Sequence, residues 1–349
     1  VAGTIALSLR CGAPSRACYD PEEHHRFAAR AARESMVLLK NEEAVLPLKK
    51  GASVCVIGEL AERLRFQGGG SAHVTPCRVD QILDAVKGYC PDVTYTKGYE
   101  GDETSERLLE EAVKAAECAS NIILCVGLPE SAESEGYDRR HMRLPENQER
   151  LIRAVTGANN NVVVVMLHGS PVEMPWRHEV KGILDAGLPG EAGGSAIADL
   201  LFGAVNPSGK LTETVPLRLS DTPCYLSFPG KGNQVRYAEG IYAGYRYYDK
   251  KELEVAYPFG HGLSYTEFSY RDLAITKQQA QVGISFFVKN VGAVEGKEVV
   301  QIYICKPGIW NDCPVRELLD FEKIRLEPGE EREVIFWFSP WDARIYDEE

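Results

Sequence analysis

Glu130, Glu133, Glu135, Asp138, Arg139 and His141 fall within one short stretch, residues 129–141, of this 349-residue chain. Neighbouring carboxylates raise one another's pKa, because each disfavours ionisation of the next. A raised carboxyl pKa is what a general acid needs near neutrality. Glu135, placed before Gly136, is the main candidate for that role. Asp138 and Arg139 are spaced to pair and brace the loop. The plainer account is a solvated acidic loop whose Asp138-Arg139 pair caps the next helix.

Other residues invite weaker chemistry. Gly68-Gly-Gly70, followed by Ser71, would let a ligand approach the backbone closely. The run lacks G-x-G-x-x-G spacing directly after a strand and lacks G-K-[ST], so a dinucleotide site is weakly supported and a P-loop excluded. A flexible surface loop is its plainer account. His73, His141 and His168 do not share metal-ligand spacing, and the ten cysteines form no C-x-x-C pair, so neither a metal nor a cofactor is expected. Ser170 lacks the G-x-S-x-G context of a nucleophile elbow. Tyr242, Tyr245, Tyr247 and Tyr248, with Arg246, form a patch able to stack on sugar rings, although core or interdomain packing is the preferred reading.

The elements around these residues set their positions. Asp20 caps a helix that begins at Pro21 and is expected to run to about residue 40. Strands are read at 54–58, 93–96, 122–126, 161–168 and 180–186, and helices at 79–86, 105–119, 144–155 and 195–202. The valine run after Asn161 is what a strand buried on both faces looks like. Alternating strands and helices imply an α/β sandwich with a mostly parallel sheet. The stretch 129–141 then leaves the carboxyl end of a central strand, where such sheets place their ligands. A segment rich in Pro, Gly and Tyr follows, and from residue 265 the helical signal stops. Five short strands at 268–273, 282–289, 298–304, 318–325 and 331–338 point to an all-β sandwich. These readings divide the chain into a linker at 1–24, an α/β domain at 25–216, a connecting segment at 217–264 and a β domain at 265–349. Residues 1–10 read as the tail of a helix from a preceding domain. The β domain, with fewer than ~7 strands, reads as incomplete.

Bulk properties narrow the partners. The net charge of −12 argues against nucleic acid or an anionic membrane surface, while leaving neutral sugars open. No apolar run approaches ~18 residues. Cys55 and Cys125 lie in expected buried strands, and unpaired core thiols favour a reducing compartment, so a cytoplasmic location is expected. Cys305 and Cys313 flank a short loop, and a disulfide between them is left open.

Several longer stretches stand out: Ala31-Ala-Arg-Glu-Ser-Met-Val-Leu-Leu-Lys-Asn-Glu42, Arg65-Phe-Gln-Gly-Gly-Gly-Ser71 and Glu133-Ser-Glu-Gly-Tyr-Asp-Arg139. Leu188-Pro-Gly-Glu-Ala-Gly-Gly194, Glu239-Gly-Ile-Tyr-Ala-Gly-Tyr-Arg-Tyr-Tyr-Asp249 and Tyr257-Pro-Phe-Gly-His-Gly-Leu-Ser-Tyr265 join them. In these motifs the sequence resembles glycoside hydrolase family 3 of the β-glucosidase type. Residues after 265 are similar to the family's fibronectin type III-like domain. The resemblance implies an α/β sandwich and a fibronectin-like domain that accompany a (β/α)₈ barrel. The barrel supplies a nucleophilic Asp in a Ser-Asp-Trp type motif. Here Ser220-Asp221 is followed by Thr222, and the barrel's Lys-His pair is missing too. By motif match Glu135 is the general acid/base, Ser71 reaches the sugar, and Asp138 and Arg139 support the loop. The implied reaction is retaining hydrolysis of β-glucosides or cello-oligosaccharides, with the barrel as required partner and a homo-oligomer left open. A β-xylosidase of the same family and a non-catalytic carbohydrate-binding or scaffold module are the alternatives. One departure, Leu211-Thr-Glu-Thr-Val-Pro216, bears on packing.

Overall fold

The computed structural model describes residues 20–305 and 313–344. The expected helix tail at 1–10 lies outside the described residues, as does most of the 1–24 linker. In chain order the α/β part comprises α1 (Pro21–Ser35), β1 (Val37–Asn41), β2 (Val54–Ile57), α2 (Ile82–Lys87) and β3 (Thr94–Thr96). It continues with α3 (Glu106–Cys118), β4 (Asn121–Gly127), α4 (Glu146–Ala158), β5 (Val162–Leu167), β6 (Gly182–Asp185) and α5 (Gly193–Leu201). A connecting part holds β7 (Val215–Pro216), α6 (Tyr245–Lys251) and β8 (Val255–Tyr257). The last part is β9 (Phe268–Gln278), β10 (Gln281–Asn290), β11 (Gly296–Ile304), β12 (Glu317–Leu326) and β13 (Glu331–Phe338).

The first sheet has strand order β1-β6-β5-β4-β2-β3 and is parallel except for β1. β4 and β5 are central and buried on both faces. Ile123, Cys125, Val163 and Val165 point into one core with the helices α1, α2 and α5. Ile122, Leu124, Val126, Val162, Val164 and Met166 point into the other, under α3 and α4. Each such aliphatic side chain contributes about 1.5–3 kcal/mol on burial, which makes these two strands the firm base of the site.

The first helix is shorter than its periodicity suggested. Asp20 caps it as expected, accepting from the Glu22 N–H at 2.9 Å. It ends at Ser35, Met36 turns extended, and Val37 to Asn41 pair antiparallel with β6. Leu38 faces one core and Val37 and Leu39 the other. Burial on both faces of a sheet edge outweighs the helical continuation that propensity allowed.

The last part is antiparallel throughout, in a three-stranded sheet β13-β10-β9 and a two-stranded sheet β11-β12. Phe286, Val288, Val300, Ile324, Leu326, Val334 and Phe336 form its core. β9 runs five residues beyond the expected end because Asp272, at φ 58°, makes a bulge that shifts the alternation. The two parts meet through charge: Glu34 on α1 takes the ammonium groups of Lys297 and Lys323. Asn206 adds a bond to the Glu295 carbonyl at 2.9 Å. Tyr245 stacks on Phe259 and accepts the Leu318 N–H, so that tyrosine serves interdomain packing rather than an open sugar platform. Cys305 and Cys313 are both free thiols, so the disulfide left open by their spacing does not form.

Candidate active site

β4 ends at Gly127, and residues 128–143 loop out before α4 begins. β5 ends alongside, and residues 168–173 leave from the same edge. The Leu128 N–H donates to the Leu167 carbonyl at 3.0 Å, so the two exits are stitched together.

Glu133 is turned back toward the sheet. Its Oε2 receives Arg65 Nη1 at 2.7 Å and the Gly169 N–H at 2.8 Å, and its Oε1 receives the Ser170 hydroxyl. Arg65 also donates to the carbonyls of Leu128, at 2.7 Å, and Glu133, at 3.2 Å. Burial opposes ionisation of Glu133, yet the bonds from Ser170, Gly169 and Arg65 outweigh it and hold the carboxyl below its ordinary range. Glu130 is engaged as well, with His73 Nε2 at 2.8 Å.

Glu135 is left at the exposed tip. Its partner is Ser71, whose hydroxyl lies 2.5 Å from Oε1 and whose N–H lies 3.2 Å from Oε2. These donors favour the charged form and lower the pKa. The expected elevation by neighbouring carboxylates is therefore reversed in this chain. Glu133 is matched by the Arg65 guanidinium, Glu130 meets the His73 ring nitrogen, and Glu135 stands in solvent.

The glycine run explains how the two loops meet. Gly70 sits at φ 77°, and a Cβ there would come within 3.0 Å of the Glu135 Cβ. A Cβ on Gly69 would lie 2.6 Å from the Ser134 hydroxyl. The close approach that these glycines permit is that of one loop to the other.

Asp138 and Arg139 do not pair. Arg139 Nη1 donates to the Ser170 hydroxyl at 3.0 Å and to the Pro171 carbonyl at 2.8 Å, while Asp138 is exposed. The brace exists, but it runs across to the β5 exit, where the arginine's reach finds oxygens already held in place. Arg65, Ser170 and the His73–Glu130 pair had no assigned role in the sequence reading. Arg65 lies 68 positions from Glu133 and Ser170 lies 37, so spacing carried no signal for them. Among the described residues no group of three or more His, Cys, Asp or Glu is arranged to hold a metal ion.

Residues 36–265 match the glycosyl hydrolase family 3 C-terminal domain. The chain belongs to glycosyl hydrolase family 3. Residues 298–349 match the fibronectin type III-like domain that the sequence resembled. Among curated family relatives, thermostable β-glucosidase B of Acetivibrio thermocellus is 50% identical over 327 residues, covering 91% of this chain and 43% of that protein. An exo-α-(1→6)-L-arabinopyranosidase of Bifidobacterium longum is 40% identical over 94% of this chain and 46% of that protein. The crystal structure of the Bifidobacterium adolescentis family 3 β-glucosidase superposes with a TM-score of 0.92 at 39% identity, over 96% of this chain and 50% of that one. The chain thus spans half or less of these family members' lengths.

Proposed function

We propose that this chain supplies the general acid/base half of a family 3 β-glucosidase, with Glu135 as the proton donor and acceptor. The observation that carries the reading is the isolation of Glu135. Of the three glutamates in its loop it is the one that meets neither an arginine nor a histidine: Glu133 is taken by Arg65 and Glu130 by His73, while Glu135 has only Ser71. The nucleophilic Asp belongs to the other half of the enzyme, in a (β/α)₈ barrel. In the assembled site Glu135 protonates the glycosidic oxygen while that Asp attacks the anomeric carbon, and then takes a proton from the water that releases the sugar. Retention follows from the two displacements, and the two carboxyl groups then sit about 5–5.5 Å apart. Closure by the barrel and substrate removes water from Glu135 and adds the nucleophile's negative charge, both of which raise its pKa toward the acid's working range. Ser71, on the Glu135 carboxylate in the open site, is placed to pass its hydroxyl to a sugar oxygen. β-Glucosides and cello-oligosaccharides are the proposed substrates. Exposed Tyr225, Leu226, Phe228, Val235, Tyr237 and Ile241 support a large covered surface in the whole enzyme.

The test is Glu135→Ala in the full-length protein. Aryl β-glucosides with poor leaving groups should lose roughly 10²–10⁴-fold in rate, and activated ones far less, with azide restoring the latter. Equal losses on both would move the acid role to another residue. The arabinopyranosidase relatives favour a second substrate reading, which parallel assays with aryl α-L-arabinopyranosides and β-xylosides decide.

A further inference from the structure

We infer that Ser170 is a positioning residue that ties both flanks of the Glu135 loop to the end of β5; the inference rests on the acid/base reading of Glu135. A serine hydroxyl has one proton to give and lone pairs to receive. Here the proton goes to Glu133 Oε1 and a lone pair accepts Arg139 Nη1 at 3.0 Å. Glu133 and Arg139 stand on either side of Glu135, two residues before it and four after it. One side chain therefore holds the loop on both sides of Glu135.

The anchor is firm because of what lies beneath it. β5 is completely buried from Val162 to Leu167, and Ser170 follows its end with Pro171 next. Gly169 and Pro171 extend the same hold, the first through its N–H on Glu133 and the second through its carbonyl under Arg139. The hydroxyl has no contact with Glu135, whose carboxylate is held by Ser71. Ser170 acts through the loop's two flanks, and it is no nucleophile.

Removing the hydroxyl leaves Glu133 Oε1 without its donor and Arg139 without one of its two acceptors. Arg139 then keeps the Pro171 carbonyl and the attraction of the Glu133 and Glu173 carboxylates, with its Nη2 buried and unbonded. The loop tip should then sample positions of order 1 Å from the productive one, and misplacement on that scale costs up to about 10²-fold in rate.

Two measurements on Ser170→Ala, Ser170→Thr and Arg139→Gln test this. In this chain, hydrogen exchange of the Ala132, Glu133 and Gly169 amides, which donate to Pro129, Glu130 and the Glu133 carboxylate, should quicken roughly tenfold in Ser170→Ala and Arg139→Gln, and stay at the wild-type rate in Ser170→Thr. In the full-length protein, kcat on poor-leaving-group aryl glucosides should fall roughly tenfold in the same two variants, activated substrates about threefold or less, with KM unchanged and Ser170→Thr restoring both. Wild-type exchange in Ser170→Ala, or equal losses on both substrate classes when Glu135→Ala shows unequal ones, would overturn the role of Ser170. If Glu135→Ala itself discriminates nothing between substrates, the acid/base reading fails, and the exchange measurement still decides whether Ser170 ties the loop.

Discussion

Glu133 and Glu135 are two residues apart on one loop and live in opposite surroundings. Glu133 points into the junction of β4 and β5, against Arg65, Gly169 and Ser170, with its side chain 16% exposed. Glu135 points outward, with a neutral serine on it. Both are held ionised in the open structure, for different reasons. Glu133 answers a buried guanidinium that no solvent can relieve. Glu135 answers two donors, the N–H and hydroxyl of Ser71, at the exposed tip. The contrast teaches that one loop can carry an anchored carboxylate and an exposed one side by side, provided the fold brings a guanidinium to only one of them.

The largest effect expected from disturbing this contrast comes at Arg65. Arg65→Ala should cost about 3 kcal/mol in denaturant unfolding of this chain, the low end for breaking a buried pair, because Ser170 and Gly169 remain on Glu133. Glu135→Gln should leave the unfolding midpoint where it is. Equal destabilisation by the two would erase the distinction between anchor and tip.

Gly70→Ala comes next. A side chain at φ 77° is strained, and its Cβ would crowd Glu135, so a loss of about 1–2 kcal/mol is expected in thermal unfolding. Gly68→Ala is the control, since its Cβ would meet only ordinary contacts at 3.7 and 3.8 Å. Matching losses would mean that the loops do not interlock through Gly70.

The smallest effects lie in the pH profile of stability. The Glu133 carboxyl is depressed on folding, so its contribution is full above the ordinary value of 4.5 and is lost as pH falls through the folded value. His25 is the opposite case. Burial pushes its imidazole down, but hydrogen bonds to Asp80, at 3.0 Å, and Glu191, at 2.9 Å, carry it above 6.5. Its contribution is full below 6.5 and is lost as pH rises through the raised value. Glu133→Gln should flatten only the limb below 4.5 of the unfolding profile, and His25→Asn only the limb above 6.5. A variant that flattens the other limb would reassign the titrating group.

Much of the architecture was legible in the chain. The unbroken apolar runs at 122–126 and 162–167 announced buried strands, the second one buried on both faces, and β4 and β5 are those strands. β1 was read as helix because Val37 and Leu38 continue the face of α1, and only the exposed edge of β6 shows why they pair instead. The far half of β9 was missed because its side chains are exposed and carry no alternation after the bulge at Asp272. At the site, motif resemblance singled out Glu135 and Ser71, and the structure sets them in contact. The Asp138–Arg139 pair, read from adjacency, gave way to Arg139 on Ser170 and Pro171.

By itself, then, the sequence determined the central buried strands, the domain types and the carboxylates available at the loop, because these follow from hydrophobic period and local residue identity. Tertiary structure decided which carboxylate is anchored and which is free. That choice depends on donors contributed from Arg65, Ser71, Gly169 and Ser170, tens of residues away along the chain. A carboxyl's pKa and reach are set by the partners that folding brings to it, and those partners leave no mark in the spacing.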